Sequence, residues 1–588
     1  MPASRPLRLW PGMTAAVLIL IGAAIMSIAS ASMIGIAAAM AGTAIALLWW
    51  LFFSRAAWID RLAAVALIAL AIYAMRPLLE PSIAGGAMGF LPILSLPLFG
   101  FALVIWAVLT RAQSAGTKRI LLVVAMLMAV GASTMVRTAG MIGGGGAEFH
   151  WRWTPTPEER LLAKGNDDPV PPAALPVATA SPAPASSGAA AGATAAPAAV
   201  RPADWPGFRG PHRDGIIHNV RIATDWTASP PVELWHRAIG PGWSSFAVDR
   251  GLIYTQEQRG EDEIVSCYRL SNGEPVWRHR DHVRFWESNG GAGPRGTPTL
   301  VGGRVYAFGA TGILNVLDAG TGAVIWSRNA GDDTKTKTPM WGFSSSPLVT
   351  SDLVIVAASG KLIAYDLATG APKWQGPAHR GSYSSPQLFA LDGVDQVLMQ
   401  TTDGTTSVDP ATGKVLWEHT WGEGTPIVQP AVTEDGDVLI DAINPMGGLG
   451  LRRLAVSHKA GAWNVVERWT STGLKPYFND FVIHKGHAYG FDGSILSCID
   501  LADGARKWKG GRYGSGQLVL LPDDDVLLVI GEEGDLALVS ATPNEFKELA
   551  KVPAIDGKTW NHPVVVGDTL LVRNGEVMAA YKLALAGR

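Results

Sequence analysis

Two histidine pairs, His279-x-x-His282 and His484-x-x-His487, have a spacing met in metal sites. Both fall in strand-like or turn sequence, where the two rings of a pair splay apart, so no metal centre is expected. Cys267 and Cys498 are the only cysteines, too few for a disulfide framework or a four-cysteine zinc site. Both read as small buried apolar side chains. There is no glycine-rich phosphate loop and no Gly-x-Ser-x-Gly elbow. Asp523-Asp524-Asp525 reads as a solvated turn. A stronger pattern runs through eight short loops: GPGWSSF, GPRGTPT, MWGFSSSP, GSYSSPQ, EGTPIVQP, KPYFNDF, GRYGSGQ and KTWNHP. Several carry a large planar side chain, namely Trp243, Arg295, Trp341, Tyr383, Tyr477, Tyr513 and Trp560. Polar neighbours include Ser244, Ser345, Ser384, Asn479, Asp480, Asn561 and His562. Aromatic faces with convergent polar groups suit a flat ligand or a peptide. Packing between neighbouring elements is the competing, purely structural role for the same rings. The candidate ligand-binding set is Trp243, Arg295, Trp341, Tyr383, Tyr477, Asn479, Tyr513, Trp560 and Asn561.

These loops precede strands within a repeat. Gly273→Trp277, Gly322→Trp326, Gly370→Trp374, Gly413→Trp417 and Gly504→Trp508 keep one spacing of four. Asp318, Asp366, Asp409 and Asp500 stand four residues before such a glycine. Asp bonds turn amides and Gly accepts positive φ, so each unit holds a tight hairpin. The tryptophans step along as Trp235, Trp277, Trp326, Trp374, Trp417, Trp469 and Trp508. A period of roughly 45 residues with four strands per unit describes a β-propeller. The upstream strands count to eight units. The last, near Trp560–Leu583, lacks a final strand, which the orphan run Val232–Ile239 can supply. That pairing closes the ring and leaves no open sheet edge. The repeated tryptophans are expected to dock blade against blade.

Ahead of the repeats lies a membrane domain. Apolar runs near 13–28, 33–53, 62–75, 90–109 and 120–136 predict five spans, the third being the weakest. With the N-terminus inside, Arg5, Arg8, Arg55, Arg61, Arg111, Lys118 and Arg119 are cytoplasmic, against Arg76 and Arg137 outside. A cleaved signal peptide ending near Ala29-Ser30-Ala31 is the alternative for the first run. Either reading exports the C-terminal part. No Asp, Glu, Lys or His falls inside a span, which favours an anchor over a transporter. His150–Lys164, with two tryptophans, reads as an interfacial collar, and the Ala/Pro-rich Gly165–Ala203 as an extended spacer. The division is thus 1–140 membrane domain, 141–203 juxtamembrane segment and linker, and 204–588 propeller.

A charged fraction of 17% and a net charge of −2 exclude a polyanion-binding or disordered chain. The repeats resemble the pyrroloquinoline quinone (PQQ) repeat of quinoprotein-like propellers. The opening DWPGFRGPHRDGI, with Trp205, Gly207, Arg209, Gly210, Pro211 and Gly215, looks like the leader of exported proteins with that repeat. The layout resembles membrane-bound PQQ glucose dehydrogenase. The blades also resemble the outer-membrane-protein assembly lipoprotein of the BAM complex. In PQQ alcohol dehydrogenases the resemblance would imply a vicinal Cys-Cys disulfide, an Asp base and Glu, Asn and Asp ligands to calcium. None of these matches here, and the propeller lacks long insertions, so no catalytic residue and no cofactor is assigned. The resulting expectation is a bacterial inner-membrane, multi-pass protein with a periplasmic propeller. It would act as a non-enzymatic binding or scaffolding module for an envelope protein, peptide or small ligand. The alternative is a PQQ- and calcium-dependent alcohol or sugar dehydrogenase passing electrons to membrane quinone.

Overall fold

Apolar runs without internal charge fold as helices because only a helix satisfies its own backbone away from water. The computed structural model describes residues 8–28, 33–85, 90–142, 146–165, 168–169, 202–444 and 447–586. Long helices span Trp10–Ile28, Met33–Leu48 with a π-helical extension over Trp49–Phe53, Trp58–Ala74, Phe90–Leu109 and Ala115–Thr134. Among the described residues three stretches, Ile34–Phe53, Leu91–Leu109 and Ala115–Thr134, are long and apolar enough to cross a membrane. The first two helices meet through small residues: a methyl at Gly22 would lie 2.5 Å from the Ala39 nitrogen. The indoles of Trp49, Trp50 and Trp106 donate to the carbonyls of Arg8, Arg61 and Lys118. Those bonds gather Arg8, just before the first helix, with Arg61 and Lys118, in the first turns of two others, at one end of the bundle.

The C-terminal part is an eight-bladed propeller of four-stranded antiparallel sheets. Blade 1 covers 247–281, blade 2 299–329, blade 3 348–375 and blade 4 387–419. Blade 5 covers 431–471, blade 6 482–512, blade 7 517–553 and blade 8 564–582. Val232–Ala238 supplies the outer strand of blade 8, pairing Val232 with Lys582 and Ala238 with Val577. The second and third strands of most blades are rich in Val, Ile, Leu and Tyr and bury both faces between neighbouring sheets; in blade 4 the third strand, Gly404–Val408, buries Thr and Ser instead.

The glycine and tryptophan of the repeat act across blades. Trp277 of blade 1 lies over Gly322 of blade 2, where a Cβ would come within 2.5 Å of the ring. Its indole donates to the Ala319 carbonyl at 2.9 Å. Trp235, Trp326, Trp374, Trp469 and Trp508 likewise donate to Leu270, Leu367, Pro410, Leu501 and Thr542 in the blade that follows. Trp417 departs from this rule and donates to Gln396 of its own blade at 2.7 Å. Blade 5 explains it: its last two strands, Gly447–Lys459 and Ala462–Ser471, are elongated and leave no tight turn beside Trp417.

One side of the ring bears the loops that enter each innermost strand; the other bears the Asp-x-x-x-Gly turns. We term them the loop face and the turn face. The leader enters from the turn face, where Trp205 bridges Val248 and Asp204 accepts the Arg250 N–H. It then fills the channel and leaves by pairing Ile216 with Leu520 of blade 7. The run Asp523–Asp525, expected as a solvated turn, anchors this path instead. Asp523 accepts the Asn219 N–H and Asp524 the Ile222 N–H, while Asp525 pairs with His484 and Lys485.

The juxtamembrane segment is folded rather than a bare collar. A hairpin of Val136–Ile142 and Gly146–Trp151 follows the last long helix directly. Its Thr138 N–H donates to the Ser82 hydroxyl at 3.0 Å, and the Arg152 N–H to the Met135 carbonyl at 2.8 Å. A short helix, Pro157–Ala163, begins with a Thr156/Glu159 capping box. Residues 170–201, the core of the expected spacer, lie outside the described residues. Asp168 before them contacts Arg278 and Arg280 of blade 1, and Trp205 after them bridges the same blade. The described residues on either side, Asp168 and Trp205, thus both meet blade 1.

Candidate functional site

The floor of the loop face is a belt of polar residues two positions before the innermost strands. The Ser245 N–H donates to Thr297 Oγ1, the Thr297 N–H to Ser346 Oγ and the Ser346 N–H to Ser385 Oγ, at 2.9–3.0 Å. Farther round, the Asp480 N–H donates to Gln517 Oε1, His562 Nε2 meets Asp480 Oδ2 at 2.7 Å, and Ser245 Oγ donates to the His562 carbonyl. Blades 1 to 4 are thus linked in series through one repeated position, and the Asp480–His562 contact reaches from blade 6 to blade 8. From below, the leader inserts Arg209 against Asp480 at 3.2 Å. Arg213 reaches the Ser346 and Pro347 carbonyls and Gln387. The Arg209 and His562 contacts hold the Asp480 carboxyl below its ordinary range against the opposing effect of burial. The channel is plugged, so anything binding the loop face rests on this floor.

A second repeated position, inside the second strand, braces the loops. Arg573 is fully buried and donates to the Gly240 and Gly242 carbonyls; burial lowers its pKa to about 10. Gln256 and Gln400 similarly reach the Gly296 and Val428 carbonyls. Blade 5 has Asp441 there. One of its oxygens accepts from Gln400, the other has no partner, and burial with Asp480 nearby raises its pKa to about 8.

Above the floor, several candidate residues form a continuous aromatic wall. Trp243 and Trp560 stand 4.7 Å apart between ring centres, Phe478 lies 4.8 Å from Trp560, and Tyr477 lies 5.4 Å from Phe478. All four rings are half-buried, leaving surface for a ligand. Trp341 and Tyr383, 5.0 Å apart, form a separate half-buried pair. The Trp560 indole donates to Glu532 at 2.8 Å. Lys558 sits over the Trp560 and Trp243 rings at 4.6 and 5.4 Å, and burial lowers its pKa to about 8.

Other candidates lie elsewhere. Tyr513 is buried between blades 6 and 7, its hydroxyl donating to Glu548. Arg295 points inward and donates to the carbonyls of Gly291, Ala292, Gly293 and Trp341 and to Glu287. Asn479 accepts the Tyr477 N–H, and Asn561 donates to the Gly242 and Ser244 carbonyls, its own oxygen left without a partner. Phe478, Lys558 and Glu532 were not singled out from sequence. Lys558 stands inside the quoted KTWNHP loop, and only its place between two indoles marks it.

The residues do not fit a calcium–quinone centre. Calcium takes six to eight oxygens, usually with several carboxylates. Asp480 is engaged by Arg209 and His562, burial disfavours the anionic form of Asp441, and Glu532 holds Trp560 and the Ser515 N–H. Among the described residues no group of three or more His, Cys, Asp or Glu is placed to hold a metal. Cys267 and Cys498 are buried free thiols in blades 1 and 6, pushed up to about 12 by burial. Of the histidine pairs, His484 faces Asp525 while His487 faces the Lys485 carbonyl; His279 faces Asp281 while His282 faces Asp262.

Comparison with known proteins adds the following. Residues 261–510 match the family profile PQQ_2, described as outer membrane protein assembly factor BamB. The chain is 29% identical to that factor from Shewanella oneidensis over 379 residues, 59% of this chain and 87% of the relative. It is 24% identical to the one from Burkholderia pseudomallei, over 47% of this chain and 84% of the relative. Among solved structures, BamB from Moraxella catarrhalis aligns with a TM-score of 0.42 and 17% identity, covering 60% of this chain and 98% of that one. The quinohemoprotein alcohol dehydrogenase from Comamonas testosteroni aligns at 0.46 and 12%, covering 65% and 81%.

Proposed function

We propose, for a propeller whose repeats match those of the assembly factor BamB, that this chain is a membrane-anchored binding module. It docks a polypeptide of the cell envelope on its loop face. The observation that carries the reading is the half-buried wall Trp243–Trp560–Phe478–Tyr477 over a plugged channel, a shallow aromatic surface rather than a deep reaction chamber. The relatives' role in outer membrane protein assembly supports a protein partner. We take 1–140 as a multi-pass anchor in the bacterial inner membrane, 141–203 as tether and linker, and 204–588 as the periplasmic propeller. The basic residues gathered by Trp49, Trp50 and Trp106 support a cytoplasmic position for that end of the helices. The repeated tryptophans we assign to blade docking.

The test places a photo-crosslinking residue at Tyr477 and at Trp341 in the full-length protein in cells. A discrete envelope-protein adduct at Tyr477, lost in W560A, is expected. In parallel the purified full chain is titrated with PQQ and Ca²⁺ and assayed for dye reduction with alcohols and sugars. Saturable binding with turnover would overturn the docking reading and make this a quinoprotein dehydrogenase.

A further inference from the structure

Among the described residues, the contacts of the hairpin and short helix with the propeller lie on the loop face, around blades 8 and 1. The Met141 N–H donates to the Asn289 carbonyl at 2.8 Å. Gly140, at φ 104°, lets the two backbones close so far that a Cβ there would lie 2.3 Å from that oxygen. Lys558 Nζ donates to the Ala139 and Met141 carbonyls at 3.3 and 3.1 Å. Glu158 grips Arg284 through both oxygens at 2.8 Å and accepts the Gly260 N–H. Arg160 approaches Glu576 at 3.8 Å. The same hairpin is bonded to the helical region through Ser82, Leu78 and Met135. Helices and loop face are therefore joined through one short folded piece bonded at both sides.

We infer that the loop face is held toward the bilayer and that phospholipid headgroups are the surface it meets. This rests on reading the long apolar helices as membrane spans. Continuity with those helices selects lipid as the neighbour, and exposed apolar side chains on that side agree. Trp151 and Trp153 stack at 5.2 Å, with 55% and 66% of their surface exposed. Trp286 and Met340 stand exposed on the loop face itself. Amphipathic rings of this kind favour the headgroup level. The aromatic wall then opens onto a layer bounded by lipid, and its ligand arrives along the membrane surface rather than from open solution.

The test uses the full chain in nanodiscs of phosphatidylethanolamine and phosphatidylglycerol containing a headgroup-nitroxide lipid. A fluorophore is attached at M340C, on the loop face, or at A368C, in a turn on the opposite face of the adjoining blade. Cys267 and Cys498 are buried and stay unlabelled. Strong quenching at M340C with little at A368C is expected, and E158K, which reverses the charge facing Arg284, should shrink that difference. Equal quenching at both sites, or more at A368C, overturns the orientation. So does an unquenched M340C that instead crosslinks to a protein, which would make this face a polypeptide surface only. If the chain fails to enter nanodiscs at all, the membrane-span reading fails, a result separable from a wrong orientation.

Discussion

Asp441 and Gly370 show two ways in which one residue carries information beyond its type. Asp441 is buried, and its pKa of about 8 exceeds the value near 4 of an unfolded carboxyl. A raised folded-state pKa gives stability that is complete below about pH 4 and is lost as the pH climbs through about 8. D441N keeps a neutral side chain of the same shape. Its melting temperature should fall less than the wild type's between those limits, a difference of at least about 1 kcal/mol at the alkaline end. A melting curve of D441N that tracks the wild type's pH dependence would refute this. Gly370, at φ 71°, lies under Trp326. G370A forces a left-handed Ala, costing about 1–2 kcal/mol, and a clash with the ring worth about 1–3 kcal/mol more. Thermal unfolding of the full chain should show a lowered midpoint. The Gly-x-x-x-Trp spacing was legible in the sequence, but its partner relation was not. A spacing of four suggests a local contact, whereas Trp235, Trp277, Trp326, Trp374 and Trp469 each meet the glycine of the next blade.

At the scale of elements, the strand pattern was nearly transparent, because alternating apolar runs between Asp/Gly turns leave few other folds. The closing strand Val232–Ala238 was readable for the same reason: seven complete units and one incomplete unit demand a donor. W235A should therefore weaken closure as much as a core truncation, about 3–5 kcal/mol, with blade 8 amides exchanging fastest in hydrogen-exchange experiments. Uniform exchange across all blades in W235A would argue against a special role for the closing strand. The loops were less legible. Tyr513 and Arg295 have the residue types of a binding face but point inward, because Glu548 and a set of backbone carbonyls hold them. Residue type at a loop position does not reveal direction; the partner does, and it comes from another part of the chain. Trp417 makes the same point, since the long hairpin of blade 5 changes its surroundings without changing its motif.

For the whole molecule, the tether adds contacts to the propeller that the collar reading did not include. Residues 150–164 read as a collar because tryptophans and charges near apolar helices usually mark an interface. The ion pairs that hold this stretch and the later Asp168 on blade 1, Glu158–Arg284 and Asp168 with Arg278, join residues more than a hundred positions apart. No local pattern announces such pairs. A protease site inserted into 170–201 tests the consequence. After cleavage the propeller should stay with the membrane fraction, held by the tether, and E158K combined with Lys558→Ala should release it to the supernatant. Release of the cleaved propeller from the unmutated protein would show that the tether contacts are too weak to hold it.

The strand that completes blade 8 also sets a timetable. Val232 pairs with Lys582, so a segment made before blade 1 must wait for the last strands of the chain. Until then it presents a bare, hydrogen-bond-hungry edge with Val232 and Leu234 on its outer side. A pairing this distant in sequence forms slowly. The ring can close only after the entire propeller has been made. Truncation anywhere in blade 8 would therefore leave two sticky ends rather than a slightly smaller protein, and such chains should be removed by quality control rather than accumulate.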